Sequence, residues 1–309
     1  MNEICMAFGG LIGLVLLYHG AEYLVRGGSA MASRSHVSPL VIGLTLVAFG
    51  TSAPELFVST GAALHGLGDI CVGNVVGSNI CNIALILGLS ALVAPLAVNA
   101  ELFKRDLPIM ILASVTLTVV CLFCGGVGRV VGLLFTVGIV VYTIVGIRLS
   151  SGKCETHPPE MSRGAAFLCV IGGLIALVVG AKLILSGAVA IERHFGVPDE
   201  FVALTVVAVG TSLPELATSI VAARKGEADI AIGNVVGSNI FNILGILGVS
   251  ALLKPVAIEG MDWVDFGMMI ATAVVLWPLM GARGRLGRFE GVLLLTVYGV
   301  YLWWLVSTM

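Results

Sequence analysis

Two glutamates, Glu55 and Glu215, stand in long apolar stretches with no basic residue within a helical turn of either. Each closes the same short segment: Gly50-Thr51-Ser52-Ala53-Pro54-Glu55 in the first half of the chain and Gly210-Thr211-Ser212-Leu213-Pro214-Glu215 in the second. A proline within a helix lacks the N–H donor and crowds the carbonyl four residues back, here that of Gly50 or Gly210. Released carbonyls are tolerated in an apolar medium only where they line a cavity or find another partner. A hard cation such as Ca2+ or Na+ is such a partner, because it collects several oxygens at once. Thr51, Ser52 and Glu55 supply hydroxyl and carboxylate oxygens within one turn of the break, and Thr211, Ser212 and Glu215 do the same. The freed carbonyls, those of Ala48 and Ala208 among them, are expected to add more. One such glutamate would read as a protonated group hydrogen-bonded inside a bundle. Two at matched positions, each beside Thr-Ser and a proline, read as metal ligands.

A second segment also occurs twice: Gly73-Asn74-Val75-Val76-Gly77-Ser78-Asn79-Ile80-Cys81-Asn82, then Gly233-Asn234-Val235-Val236-Gly237-Ser238-Asn239-Ile240-Phe241-Asn242. Ser78 and Asn82 are four apart and share a helix face, as do Ser238 and Asn242, so they are expected to form the other wall of the site. The glycines at 73, 77, 233 and 237 allow a second backbone to approach closely. Other polar groups read as structural. Asp69 and Asp229 are expected to be helix N-caps near the membrane surface, and Glu22 to pair with Arg26. Lys182, in the repeat position of Glu22, can snorkel outward, and His19 is given no role. The seven cysteines fall mostly in apolar runs and read as small core residues. Cys121 and Cys124 form a CxxC without the second pair that a zinc site needs.

The elements that position these residues follow from composition. Hydrophobic residues make up 58% of the 309 positions and charged residues 11%, against about 25% charged in a soluble domain. With a mean hydropathy of +1.09, the chain is an all-α polytopic membrane protein whose main partner is the lipid bilayer. A net charge of −2 leaves no footprint for nucleic acid, and no obligatory protein partner is evident. A spanning helix needs about 20 apolar residues. That length gives ten transmembrane helices, at 4–25, 39–64, 69–96, 107–124, 130–149, 164–185, 200–223, 229–256, 266–280 and 290–306.

At an offset of 160, 31 of the 49 positions in 43–91 are identical to those in 203–251, which shared hydrophobicity does not produce. Each half holds five spans, an odd number, so the second half must enter the membrane from the opposite side. The expected organisation is two inverted five-helix repeats, 1–149 and 164–309, joined by a cytoplasmic connector at 150–163. Inverted repeats place a substrate site at the midplane between the halves. With both termini outside, twelve Lys and Arg residues fall on the inner side, while Arg129, Lys182, Arg193 and Lys254 fall outside. The positive-inside bias supports that orientation.

With these motifs quoted, the chain resembles the cation/Ca2+ exchanger superfamily, and within it the small prokaryotic Na+/Ca2+ exchangers, over essentially its whole length. The two pairs of segments look like that family's two alpha-repeats. The resemblance implies a diamond of ion sites between the second, third, seventh and eighth helices. Its ligands would fall on Thr51, Ser52, Glu55, Ser78 and Asn82, and on Thr211, Ser212, Glu215, Ser238 and Asn242. It implies Ca2+ and Na+ as transported ions with no cofactor, and alternating access in which the first and sixth helices slide across the remainder. Some relatives, K+-dependent ones among them, have aspartate where this chain has Asn242. The proton-coupled branch generally has a further glutamate in the second segment, where this chain has Ser78 and Ser238.

The function expected is secondary active, electrogenic exchange of Na+ for Ca2+. The alternative is an antiporter using H+ or another monovalent or divalent cation. A channel would pass ions without a counter-ion. An intramembrane enzyme lacks visible machinery, since no HExxH occurs and no paired histidines accompany the glutamates.

Overall fold

A computed structural model describes residues 3–150, 161–194 and 208–308. The chain is almost entirely helical. In order, the helices are α1 (Glu3–Ser35), α2 (Pro39–Thr51), α3 (Ala53–His65), α4 (Gly68–Val93), α5 (Leu102–Cys124) and α6 (Arg129–Ser150). They continue as α7 (Arg163–His194), α8 (described at Ala208–Thr211), α9 (Leu213–Arg224), α10 (Ala228–Leu253), α11 (Trp263–Gly281) and α12 (Arg288–Thr308). Among the described residues, seven helices are long and apolar enough to cross a membrane, and the pair α2–α3, bent by 50°, makes an eighth. The protein is a multi-pass, helical membrane protein.

Several observed elements depart from the expected spans. The span expected at 39–64 is two helices with a break between them. That expected at 200–223 begins outside the described residues and is broken in the same place. The helices α1 and α7 run well past the ends set at 25 and 185, because helical hydrogen bonding continues beyond the apolar windows.

Burial is uneven. The central helices α4 and α10 are 78% buried inside the protein along their apolar windows, whereas α6 is 22% and α12 17% buried. The outer helices therefore give their apolar faces to lipid, and α4 and α10 form the wall around which the rest packs. Backbone closeness does much of this packing. At Gly233 an added Cβ would lie 2.9 Å from the Leu40 carbonyl, and at Gly237 2.5 Å from that of Leu44, so α10 lies directly against α2. The first-repeat counterparts Gly73 and Gly77 have no described atom within 4 Å of a Cβ; the mates of Leu40 and Leu44 fall at 200 and 204, outside the described residues.

The antiparallel pair α1–α7 is joined by a seam of small residues seven apart. Gly13 faces Gly180, Gly20 faces Gly173 and Gly27 faces Ala166, with a Cβ at the three α1 positions 2.7, 2.9 and 2.9 Å from the opposing carbonyl. In lipid, where apolar side chains gain little by meeting one another, close backbone approach of this kind is what holds helices together.

The loops sort into two sets. β1 (Leu96–Ala97) pairs with β4 (Arg285–Leu286), and β2 (Gly126–Val127) with β3 (Val256–Ala257). In each pair the charge pattern assigns both loops to one side of the membrane. The same holds for the Lys254 ammonium donating to the Leu64 carbonyl and the Arg34 guanidinium donating to that of Met161.

Three polar residues behave otherwise than expected. Asp69 is not an N-cap. Leu67 holds that position, and the Asp69 carboxylate accepts from the backbone N–H groups of Glu259 and Gly260 at 3.0 and 3.1 Å. Asp229 likewise stands inside its helix, after the N-cap Glu227. The Asp69 carboxylate fastens a distant loop because α4 begins beside it. Glu22 pairs with Lys225 at 3.1 Å, with His19 at 3.7 Å on its other oxygen. The tertiary partner displaces the expected i,i+4 one, Arg26.

The seam makes a paired prediction. Gly173→Ala should destabilise the protein by about 1–3 kcal/mol, the usual cost of forcing a methyl into a filled contact, and lower the melting temperature in detergent. Gly172→Ala, one residue away with no described atom within 4 Å of its Cβ, should not lower it.

Candidate functional site

The break between α2 and α3 falls at Ser52 (φ −82°, ψ 10°), and that between α8 and α9 at Ser212 (φ −87°, ψ 6°). Pro54 and Pro214 therefore do not interrupt a helix from within. Each sits in the first turn of a new one, where the missing N–H had no intrahelical partner to lose. Glu55 and Glu215 consequently occupy the first turns of α3 and α9, where the positive end of the helix dipole favours a carboxylate.

The two carboxylates are 1% exposed, and neither is in an ion pair among the described residues. Each is instead held by a serine from the opposite half. The Ser52 hydroxyl donates to Glu215 Oε1 at 2.8 Å, and that of Ser212 donates to Glu55 Oε1 at 3.2 Å. Among the described residues, the second carboxylate oxygens have no hydrogen-bond partner. Seven buried side-chain polar atoms are in that condition: Glu55 Oε2, Glu215 Oε2, Ser78 Oγ, Ser238 Oγ, Asn82 Oδ1, Asn242 Oδ1 and Thr218 Oγ1. Buried polar groups are nearly always satisfied, and each left unpaired costs about 1–3 kcal/mol. Six of the seven atoms belong to residues that the repeated segments single out, in three pairs related by the 160-residue offset.

Asn82 and Asn242 lie in stretches where the helix widens to π-helical hydrogen bonding, Cys81–Leu87 in α4 and Phe241–Leu247 in α10. Such widenings are uncommon and cluster at functional sites. Thr51 is engaged differently. Its hydroxyl is the donor in contacts with the Val47 carbonyl and Asn234 Oδ1, both at 3.1 Å, which leaves lone pairs but no proton. Thr211 holds the equivalent place in the second half and is also buried.

The Ala48 carbonyl is not freed by the break. It accepts from the Ser52 N–H at 3.0 Å and faces the Thr51 hydroxyl at 3.3 Å, because the last turn of α2 closes onto it before the chain leaves the helix. Ala208 opens the described part of α8, one turn before Ser212.

The sequence pattern did not single out the polar frame behind these ligands. Asn234 donates to Ser219 Oγ at 3.0 Å and to the Glu215 carbonyl at 3.4 Å while accepting from Thr51. Asn74 makes the corresponding bonds to Ser59 Oγ at 2.9 Å and the Glu55 carbonyl at 3.5 Å. The signal was present, since Asn74 and Asn234, like Ser59 and Ser219, are identical across the offset. Thr218 carried no such signal, because its repeat mate is Val58.

A helical membrane bundle that buries two glutamates, each bonded by a serine from the other half, with unpartnered oxygens at matched positions among its described residues, has the character of an ion-handling membrane protein. The chain matches the family described as sodium/calcium exchanger protein over residues 6–147 and 165–307. It is 41% identical to the putative antiporter CaxA of Alkalimonas amylolytica, over 96% of this chain and 98% of that one. It is 33% identical to the sodium/calcium exchanger MaX1 of Methanosarcina acetivorans, over 94% and 96%. Its fold superposes on the sodium-calcium exchanger NCX_Mj, from crystals soaked with Na+ and Sr2+, with a TM-score of 0.87 and 33% identity, over 97% of this chain and 98% of that one. The chain belongs to the sodium/calcium exchanger family, a family of transporters and not of enzymes.

Asn234→Ala should lower stability by about 1–3 kcal/mol, since it removes the buried bonds that the amide makes with Ser219, the Glu215 carbonyl and Thr51. Thermal unfolding in detergent without Na+ or Ca2+ measures this apart from any ion effect.

Proposed function

We propose that this protein is a secondary active antiporter that exchanges Na+ for Ca2+ by alternating access. One observation carries the reading: six unpartnered oxygens, among them one from each of two unpaired carboxylates, belong to the residues predicted as ligands. A hard cation satisfies such oxygens together. Ca2+ takes six to eight oxygen ligands, and the two carboxylates match its charge. The ligands proposed are Glu55, Glu215, Ser78, Ser238, Asn82 and Asn242, with Thr51, Ser52, Thr211 and Ser212 completing the set through their lone pairs. The relatives named as sodium/calcium exchangers support the choice of ions.

Coupling follows from charge. One Ca2+ or two Na+ neutralise two carboxylates, and a third Na+ would carry net positive charge across the membrane, so three-for-one exchange is electrogenic. The unloaded site holds two carboxylates at the membrane centre, and its crossing is opposed by the cost of charge there. Ions must therefore exchange and not leak. With Asn242 in place of an aspartate the site has two carboxylates, and K+ is not part of the proposed cycle. The architecture proposed is ten spans in two inverted five-helix repeats, 1–149 and 164–309. The connector at 150–163 is cytoplasmic and both termini lie outside the prokaryotic plasma membrane. In this reading α1 and α7 slide together as the moving body.

Proteoliposomes loaded with Na+ should take up Ca2+, while K+-loaded vesicles and vesicles with only a pH gradient should not. Uptake driven by the pH gradient would replace Na+ by H+ in the cycle. Glu55→Gln and Glu215→Gln should each reduce Na+-driven uptake at least ~100-fold with the protein still folded; exchange at the normal rate in either would place the site elsewhere. A valinomycin-imposed potential should change the initial rate, since each charge moved responds by about 2.3 kcal/mol per 100 mV. A rate indifferent to voltage would mean electroneutral exchange.

A further inference from the structure

Asparagine is an ambiguous ligand for a cation. One end of its amide is a carbonyl oxygen, the other an NH2 that carries partial positive charge. At Asn82 and Asn242 something must decide which end faces the centre, and the hydrogen bonds show what does. Asn79 and Asn239 are both buried, one on α4 and the other on α10. Asn79 Nδ2 donates to the backbone carbonyl of Asn239 at 3.3 Å, and Asn239 Nδ2 donates to that of Asn79 at 3.3 Å. The same nitrogens face the thioethers of Met269, at 4.0 Å, and Met110, at 3.6 Å. Carbonyl oxygens and thioether sulfurs only accept, so these amides have one permitted orientation.

Their oxygens must then point the other way, where each accepts from a site asparagine. Asn242 Nδ2 donates to Asn79 Oδ1 at 3.0 Å, and Asn82 Nδ2 donates to Asn239 Oδ1 at 3.0 Å. With their nitrogens engaged, Asn242 and Asn82 turn their oxygens away, and those are oxygens without a partner among the described residues. Polarity is thus passed from a backbone carbonyl through one amide to the next.

We propose that Asn79 and Asn239 are positioning residues that fix the carbonyl oxygens of Asn242 and Asn82 toward the cation, each half of the chain orienting a ligand carried by the other half. The inference rests on the reading of the Glu55–Glu215 centre as the ion site. Asn79→Ala removes the acceptor for Asn242 but leaves the Asn79 backbone carbonyl that orients Asn239, so its effect falls on one ligand. Outer-sphere partners of this kind commonly contribute about 10–100-fold in metal affinity.

The test is a double-mutant cycle with Asn242→Asp, because a carboxylate has an oxygen at both ends and no wrong way round. The readouts are the Ca2+ concentration for half-maximal uptake into Na+-loaded proteoliposomes and Ca2+-induced thermal stabilisation in detergent. Asn79→Ala should weaken both by about 10–100-fold in the wild-type background and by less than about 3-fold when added to Asn242→Asp. Equal losses in the two backgrounds would make Asn79 merely structural, and no loss in either would remove it from the site; both outcomes overturn the proposal. Asn239→Ala with Asn82→Asp forms an independent second cycle, decisive if the first variant does not fold. Glu55→Gln, assayed alongside, separates the two levels. If it keeps full Ca2+ stabilisation, the ion-site reading fails; if it loses stabilisation while Asn79→Ala does not, only the orienting role fails.

Discussion

Two carboxylates buried in a helical bundle, with no cationic side chain paired to them among the described residues, are the constraint around which the rest of this structure is arranged. Burying an acidic side chain without a cationic partner is expensive for a protein, and here it is done twice. The fold moderates the cost by dipoles and hydrogen bonds. Each glutamate begins a helix, so the N-terminal end of that helix faces it, and each receives a serine hydroxyl at 2.8 or 3.2 Å from across the pseudo-symmetric interface. A lysine or arginine would neutralise the site permanently. Hydroxyls and helix ends moderate the charge while leaving it available to something that comes and goes.

Reciprocity between the halves is the second theme. Ser52 serves Glu215 and Ser212 serves Glu55; Asn79 and Asn239 cross-bond; Thr51 of the first half reaches Asn234 of the second at 3.1 Å. Neither half holds its own glutamate carboxylate, since the serine hydroxyl that donates to each comes from the other half. The glycines of α10 serve the same end, since a side chain at 233 or 237 would hold α2 away and with it the break at Ser52.

Much of this was legible in the sequence because duplication prints each important residue twice. The glutamates, the breaks beside them and the Ser–Asn pairs were all marked by matched positions 160 residues apart, and among the described residues each of those glutamates, serines and asparagines carries a buried oxygen without a partner. What could not be read was partner choice. Glu22 had an apparent mate four residues away, but tertiary packing brought Lys225 closer. Asp69 looked like a cap, yet a loop 190 residues later needed its oxygens. The Ala48 carbonyl looked free because a proline inside a helix would free it, whereas here the helix ended first, at Ser52. Asn79 was visible as a repeated letter and silent as to role, because an amide's orientation depends on atoms from another helix.

The glycine seam between α1 and α7 also bears on how the protein is made. α1 leaves the ribosome well before α7, its close-fitting partner, which begins only at Arg163. At about 5–20 residues per second, α1 must spend on the order of ten seconds in the membrane with its glycine groove uncovered. During that interval lipid chains or the insertion machinery must occupy the groove, and α7 must displace them on arrival. A chain halted before α7 would keep that groove open, a mark by which quality control could tell an unfinished molecule from a complete one.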